Sequence, residues 1–169
     1  MSQAAYQKQA FKYLSEWDPS EKRGIFPNKQ VVTCFFQQSD KYLVLQRARK
    51  DQQHGLWGIP GGKLDKGEEP LAGLVREACE ELEIKFLSDI FQLLGTALSH
   101  TPSDGEYGLY VYHAFVPTNL NIKINSAEHY AYRWATIEEF QKLDLLTAQR
   151  EAFYLVQDKL LLLKSGTTK

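Results

Sequence analysis

Three glutamates are spaced so that a single α-helix would bring their carboxylates together. Glu77, Glu80 and Glu81 lie in the stretch 61–84, GGKLDKGEEPLAGLVREACEELEI. At 3.6 residues per turn, offsets of three and four residues place side chains on one helical face, with Cβ atoms about 5–6 Å apart. Carboxylates this close repel one another, and a hard divalent cation with oxygen ligands would turn the repulsion into coordination. For the glutamate spacing alone, a solvated acidic helix face is the favoured interpretation and a cation site is the alternative; the residues that precede the helix decide between them.

The residues around these glutamates predict the helix that would position them. A separate arc of the same helix is apolar, and consists of Leu71, Leu74, Val75, Ala78 and Leu82. Pro70 suits the first helical position, and Glu69 before it faces the positive end of the helix dipole. Gly73 lies on the carboxylate side and costs about 1 kcal/mol relative to alanine in mid-helix. We expect another group to approach the backbone at Gly73.

The stretch 61–84 as a whole resembles the signature of the Nudix hydrolases, G-x5-E-x7-R-E-U-x-E-E-x-G-U, in which U is aliphatic. The matching residues are Gly62, Glu68, Arg76, Glu77, Glu80, Glu81 and Ile84. One position departs, because Glu83 stands where a glycine usually closes the helix with a left-handed C-cap. The departure concerns the helix exit and leaves the glutamates in place. The chain is identified as a member of the MutT-like pyrophosphohydrolases by this resemblance.

The resemblance implies the metal chemistry of the site. It implies Mg²⁺, with Mn²⁺ as a substitute, bound by Glu77, Glu80, Glu81 and the main-chain carbonyl of Gly61. Mg²⁺ lowers the pKa of bound water and neutralises phosphate charge, which are the two needs of diphosphate hydrolysis. The implied reaction is cleavage of the diphosphate linkage of a nucleoside diphosphate derivative.

Two further members of the signature are expected to support these ligands. The planar fork of Arg76 suits a bidentate pair with either Glu77 or Glu68. Glu68 is expected to support the loop before the helix. A general base must reach the attacking water, and the sequence leaves Glu77, Glu80 and Glu128 open for that role.

Three residues outside the signature are candidates for substrate binding. Arg47, followed by Arg49 and Lys50, is either a phosphate contact or part of a solvated basic loop. Trp57 could stack on a base, but a packing anchor is the favoured interpretation. Glu128, shortly before a tryptophan, resembles a second carboxylate that in some family members is a metal ligand or base; a surface residue is the alternative.

The substrate and two other functional classes stay open at this stage. Nucleoside triphosphates, including oxidised ones, are the first choice, followed by nucleotide sugars and dinucleotides. A non-catalytic nucleotide-binding regulatory domain of the same fold is the main alternative, against which the intact glutamates argue. A prenyl diphosphate isomerase would need a cysteine in the pocket, whereas Cys79 points about 160° away from the carboxylates on the helical count.

Composition predicts one soluble domain over residues 1–169. The chain is 43% hydrophobic and 24% charged, with a net charge of -1 and two cysteines. These values favour a cytoplasmic protein that binds neither long nucleic acid nor membrane. Partners are then a small nucleotide-type molecule and, as an open option, a second copy in a homodimer.

The order of predicted elements indicates an α/β fold, a mixed β-sheet between helical layers in an α/β/α sandwich, as the resemblance also implies. An N-terminal helical extension spans 1–28, with an amphipathic helix at 4–17, and the signature loop and helix span 61–84. Strands are predicted at 31–38, 42–48, 91–100 and 107–116, with an edge strand at 121–124. Helices are predicted at 137–143, after a Thr136 capping box, and at 147–163. His113 is expected to be a core histidine rather than a ligand.

Overall fold

The computed structural model describes residues 14–21, 27–48, 53–102, 105–147 and 149–165. Within these residues the strands are β1 (Leu14–Glu16), β2 (Gln30–Gln38), β3 (Lys41–Arg47), β4 (Trp57–Gly58), β5 (Gly61–Lys63), β6 (Gln92–Thr101), β7 (Gly105–Phe115) and β8 (His129–Ala135). The helices are α1 (Pro70–Leu82), α2 (Ile137–Phe140) and α3 (Gln149–Ser165), with a short 3₁₀ helix at Ser88–Ile90. No helix in the described ranges has the length and apolar character needed to cross a bilayer.

The strands form one mixed sheet around β2. The order is β1-β6-β7-β2-β3-β4, with β5 also paired to β2 and β8 to β3. β2 runs parallel to β7 and antiparallel to β3 and β5. The pairing with β5 places Gly61 opposite Thr33, in the middle of the sheet. The glycine pair that precedes α1 is therefore held by the central strand.

Both faces of the sheet are covered by helices. Val32 and Phe36 of β2 share one buried cluster with Leu74 of α1. Phe35, which points to the opposite face because side chains alternate along a strand, shares the other cluster with Phe153 of α3. The two clusters confirm the predicted α/β/α sandwich with a mixed sheet. They also explain why β2 is apolar on both faces.

Helix α1 begins where the sequence predicts, and it ends in a left-handed C-cap. Pro70 is its first residue, after the extended Glu69. At the C-terminus, Glu83 has φ 52° and ψ 34°, and its backbone N–H donates to the Cys79 carbonyl at 3.0 Å. This is the left-handed C-cap that glycine usually supplies. The helix exit therefore keeps the expected geometry even though a glutamate occupies the position.

The predicted N-terminal helix is wrong where it can be compared with the structure. Residues 4–13 lie outside the described residues, and Leu14–Glu16 forms strand β1, paired antiparallel with β6. Trp17 is buried and packs edge-on against Tyr110, with ring centroids 5.3 Å apart. The open backbone groups of β6 supply hydrogen bonds to this segment, and apolar spacing over so few residues does not separate a strand from a helix.

The other predicted elements are confirmed with one exception. The β2–β3 and β6–β7 pairs form, and Thr136 makes both hydrogen bonds of its capping box. His113 is buried, with its Nε2 2.7 Å from Gln37 Oε1, and burial lowers its pKa to about 4. The edge strand at 121–124 is wrong, because the Lys123 N–H bonds the Leu82 carbonyl at the end of α1 instead of a strand.

We predict that Glu83→Gly leaves the melting temperature unchanged or raises it by up to about 2 °C. The left-handed conformation costs a residue with a Cβ about 1 kcal/mol more than glycine. The extra entropy of glycine in the unfolded chain offsets about 0.4–1 kcal/mol of that gain, and each kcal/mol is worth about 2–4 °C at this size. Calorimetry checks the result. Glu83→Ala keeps the Cβ and should give no gain; a large fall for the glycine variant would contradict the C-cap assignment.

Candidate active site

A cleft of about 390 Å³ lies between the centre of the sheet and helix α1. Among its lining residues are seven that the sequence singled out: Arg47, Gly61, Gly62, Glu77, Glu80, Glu81 and Glu128. Lys29 and Lys63 also line it. Three elements and two loop segments, far apart in the chain, thus contribute acidic and basic groups to the same cavity.

The glycine pair allows α1 to approach the sheet closely. Gly61 has φ 150°, and a Cβ there would lie 2.1 Å from the carbonyl oxygen of Val32. A Cβ on Gly62 would lie 2.2 Å from the carboxylate of Glu77. Real Cβ atoms do not come this close to other heavy atoms, so a larger residue at Gly61 would push β5 away from β2, and one at Gly62 would displace the Glu77 carboxylate. Gly61 therefore permits the close pairing of β5 with β2, and Gly62 leaves room for the Glu77 carboxylate.

Glu81 is the most deeply buried of the three glutamates. It is 5% exposed, and its Oε2 accepts a hydrogen bond of 2.8 Å from the Gly61 N–H. Its pKa is raised to about 8, mainly by burial and also by the charges of Glu77 and Glu128, while the hydrogen bond from the Gly61 N–H lowers it. A buried carboxylate with acidic neighbours is costly without a counter-charge. A divalent cation in the cleft would supply one.

Glu77 and Glu80 lie about one helical turn apart, and both side chains are more exposed than that of Glu81. The Glu77 side chain is 15% exposed and that of Glu80 is 54% exposed. Burial raises the pKa of Glu77, while its hydrogen bond with Arg76 lowers it. The three carboxylates thus run from the cleft floor to its mouth along one face of α1. The predicted convergence on one patch is present, with burial that the sequence alone did not reveal.

Arg76 ties the loop before α1 to the helix. Its Nε and one terminal nitrogen donate to the two Glu68 oxygens at 2.9 and 2.8 Å, and the other terminal nitrogen donates to Glu77 at 2.8 Å. The bidentate partner is therefore Glu68, one of the two that the sequence left open. The hydrogen bonds from Arg76 lower the pKa of Glu68 to about 2. Arg76 and Glu68 do not line the cleft; they hold the residues that do.

Gly73 has a packing role in the same loop. A Cβ at this position would lie 2.2 Å from Leu64 Cδ2 and 2.9 Å from Glu68 Oε2. The group that approaches the helix backbone at Gly73 is therefore the preceding loop itself. This contact explains a mid-helix glycine on a helix that is otherwise well formed.

The loop before β8 and the first residue of that strand add Glu128 and His129. Ligand atoms of Glu81, Glu128 and His129 all lie within 4.8 Å of one another. His129 is 4% exposed, and its Nε2 is 3.5 Å from Glu81 Oε1. The sequence pointed to Glu128 but missed His129. The signal that could have found it is its place beside Glu128 at the start of a predicted strand.

Trp57 lies outside the cleft lining, which supports its interpretation as a packing anchor. Its backbone pairs with Gln46 of β3, and its N–H donates to the Asp144 carbonyl at 2.7 Å. The guanidinium of Arg133 lies 5.3 Å from the ring centroid. Trp57 thus joins β3, β8 and the segment before α3, and its ring is not placed to meet a ligand in the cavity.

The cleft combines two kinds of charged group. Carboxylates line the helix side, and Arg47, Lys29 and Lys63 contribute cationic side chains to the lining. Carboxylates hold hard divalent cations, and lysine and arginine bind phosphate oxygens. The arrangement suits a metal complex of a phosphorylated ligand, because the carboxylates can bind the metal cation and the cationic side chains can bind the phosphate.

The sequence of this chain is similar to those of known proteins. The NUDIX domain model matches residues 27–156. The chain is 28% identical over 119 residues to the CTP pyrophosphohydrolase of Escherichia coli, which covers 70% of this chain and 84% of that protein. It is 31% identical over 136 residues to the nucleoside triphosphatase NudI of Salmonella agona, covering 75% and 96%.

A solved structure with the same fold covers more of the chain. The NUDIX domain of Shewanella oneidensis NrtR, crystallised with ADP ribose, superposes with a TM-score of 0.65 over 95% of this chain and 99% of that one. The sequence identity is 18%. At that identity, the similarity concerns the fold.

We predict that Arg76→Lys lowers the melting temperature by about 2–8 °C. Lysine keeps the charge but loses the fork that binds both Glu68 oxygens, which should cost about 1–2 kcal/mol. Calorimetry at neutral pH checks the result. Arg133→Lys is the matched control, because its contact with Trp57 is an exposed cation–π pair worth about 0.5–1 kcal/mol. Equal losses in the two variants would contradict a special role for the Arg76 network.

Proposed function

We propose, from the premise that this chain belongs to the Nudix hydrolase family, that it cleaves the diphosphate linkage of a nucleoside diphosphate derivative with the help of Mg²⁺. The family acts on phosphorus-containing anhydrides, as the names of the two relatives indicate. The observation that carries the proposal is the cleft that Glu77, Glu80 and Glu81 share with three cationic side chains.

The proposed cation ligands are Glu77, Glu80, Glu81 and the carbonyl of Gly61. They fit a hard cation, because three carboxylates line one cleft and burial raises the pKa of the deepest one. When bound, Mg²⁺ would neutralise phosphate oxygens and lower the pKa of water. Mn²⁺, which also prefers oxygen ligands, is the expected substitute.

The chain's own residues orient these ligands and the substrate. The Gly61 N–H holds one oxygen of Glu81, and Arg76 holds one oxygen of Glu77, so each keeps a second oxygen for a cation. Arg47, at the end of β3, is proposed to bind phosphate, together with Lys29 and Lys63. These contacts would keep the reacting phosphorus in place, which is most of what an enzyme supplies to phosphoryl transfer.

The proton acceptor for the attacking water is proposed to be Glu128 or Glu80. Glu77 is less suitable, because its carboxylate is engaged with Arg76. Glu128 lies close to Glu81, where it could serve as a cation ligand or as the base. Glu80 is more exposed and its bond to Arg76 is long, at 3.4 Å.

Nucleoside triphosphates are the proposed first substrates. Both relatives described above are named for nucleoside triphosphate chemistry, and each is matched over most of its own length. Oxidised triphosphates belong to the same class. Nucleotide sugars and dinucleotides come next, since they present the same diphosphate linkage to the carboxylates.

A non-catalytic nucleotide-binding domain of the same fold is the alternative. It would bind a nucleotide in this cleft without turnover. The complete set of signature carboxylates argues for catalysis, because a purely binding site has no need for three acidic groups beside an anionic ligand.

We predict that the purified protein hydrolyses at least one nucleoside triphosphate in the presence of Mg²⁺. A panel of triphosphates, nucleotide sugars and dinucleotides, with released phosphate or pyrophosphate as the readout, tests this. EDTA should abolish the activity and excess Mg²⁺ or Mn²⁺ should restore it. Tight nucleotide binding without product, at any metal concentration, would favour the regulatory alternative.

We predict that Glu81→Gln lowers kcat by about 10²–10⁴-fold while the fold is retained. Glutamine preserves the acceptor for the Gly61 N–H but loses the charge that would hold the cation. The melting temperature of the Glu81→Gln variant should also rise less on addition of Mn²⁺, whereas that of the wild type should rise by about 5–10 °C at a Mn²⁺ concentration 100 times the dissociation constant. The control is Glu83→Gln, which removes an exposed carboxylate two residues after Glu81 in the chain. Wild-type turnover in the Glu81 variant would remove α1 from the mechanism.

A further inference from the structure

We propose that Asn125 is a positioning residue that holds the Glu128 carboxylate against the buried Glu81 carboxylate. The inference rests on the proposed function, because it concerns the same cation site. Asn125 does not line the cleft and does not belong to the signature. Its contacts nevertheless join three parts of the site.

The first part is the C-terminal end of α1. The last carbonyls of a helix have no partner within the helix. Asn125 satisfies one of them, since its backbone N–H donates to the Glu81 carbonyl at 2.9 Å, and Lys123 does the same for Leu82 at 3.3 Å. The loop after β7 is therefore attached to the residue whose side chain is the deepest carboxylate in the cleft. Glu81 is held at its backbone by Asn125 and at its side chain by Gly61.

The second part is the turn that follows. The Asn125 carbonyl accepts hydrogen bonds from the backbone N–H groups of Glu128 and His129, at 3.1 and 2.9 Å. Its side-chain oxygen accepts from the Ala127 N–H at 3.1 Å. Asparagine commonly forms such a turn with the backbone two residues on. The turn fixes the direction in which the Glu128 and His129 side chains leave the loop.

The third part is the Glu128 side chain itself. The Asn125 amide nitrogen donates to Glu128 Oε1 at 3.2 Å, and the Glu128 carbonyl accepts from the Ala48 N–H at the end of β3 at 2.8 Å. The backbone of Glu128 is thus held from the sheet, and one carboxylate oxygen is held by Asn125. The other oxygen is left to meet a cation or a water molecule in the cleft.

Asparagine is the residue type that can make all these contacts at once. It needs an acceptor for Ala127 and a donor for Glu128 in the same short side chain. Aspartate keeps the acceptor but places a negative oxygen beside a second carboxylate. Serine can still accept from the Ala127 N–H, because its hydroxyl forms similar turns, but it is too short to reach Glu128. Both variants therefore keep the turn at Ala127 and lose the hydrogen bond to Glu128.

The test is a double-mutant cycle on Mn²⁺ binding and on turnover. Asn125→Ser should weaken Mn²⁺ binding, measured by calorimetry, and lower kcat at saturating Mn²⁺, each by about tenfold, as is typical for a residue that orients a metal ligand. In a Glu128→Ala background the same change should alter either quantity less than twofold, because Asn125 then has no carboxylate to hold. Asn125→Asp should give losses at least as large as serine.

A purely structural role predicts a different result. If Asn125 only shapes the loop, Asn125→Ser will cost the same factor with Glu128 present or absent, and the proposal is overturned. It is also overturned if both Asn125 variants bind Mn²⁺ like the wild type, or if the wild type binds no Mn²⁺. Should Asn125→Ser not fold, as judged by its melting curve, the cycle is run with Asn125→Asp. A wild type that binds Mn²⁺ but hydrolyses nothing refutes the proposed function alone, and the binding cycle still decides on Asn125.

Discussion

The burial of the Glu81 carboxylate against the Gly61 N–H is the constraint on which the rest of the site depends. A carboxylate that is 5% exposed must be hydrogen-bonded or neutralised, because its desolvation costs several kcal/mol. The bond forms where β5 meets α1 at Gly61, and the next residue, Gly62, leaves room for the Glu77 carboxylate. The same contact between β5 and α1 therefore fixes the position of the helix on the sheet and provides the hydrogen bond to its most buried carboxylate.

The two ends of α1 are held by different means. At the N-terminal side, the fork of Arg76 joins the preceding loop, through Glu68, to the helix. At the C-terminal side, Asn125 bonds the Glu81 carbonyl and brings Glu128 with it. The helix turns that carry the three carboxylates lie between these two attachments. A helix with three acidic residues on one face, which would lose stability alone, is kept in place by its neighbours.

The central strand connects this helix to the other layer. β2 pairs with β5 and lies parallel to β7, and its side chains alternate between the cluster of α1 and that of α3. β2 is thus buried on both faces beneath the cleft. The cationic side chains of Lys29, Lys63 and Arg47 line the same cleft.

The sequence by itself determined the local features: the start of α1 at Pro70, its acidic face, the hairpin of β2 and β3, and the capping box at Thr136. Each rests on spacing and turn chemistry within a few residues. Only the tertiary structure decided that Leu14–Glu16 is a strand, that residues 121–124 bond a helix end instead of a sheet edge, and that Trp57 packs away from the cleft. It also decided which glutamate is buried and that Asn125 and His129 reach it. The reason is physical: hydrogen-bond partners and burial belong to pairs of residues far apart in the chain, and no periodicity in one segment records the partner that another segment will provide.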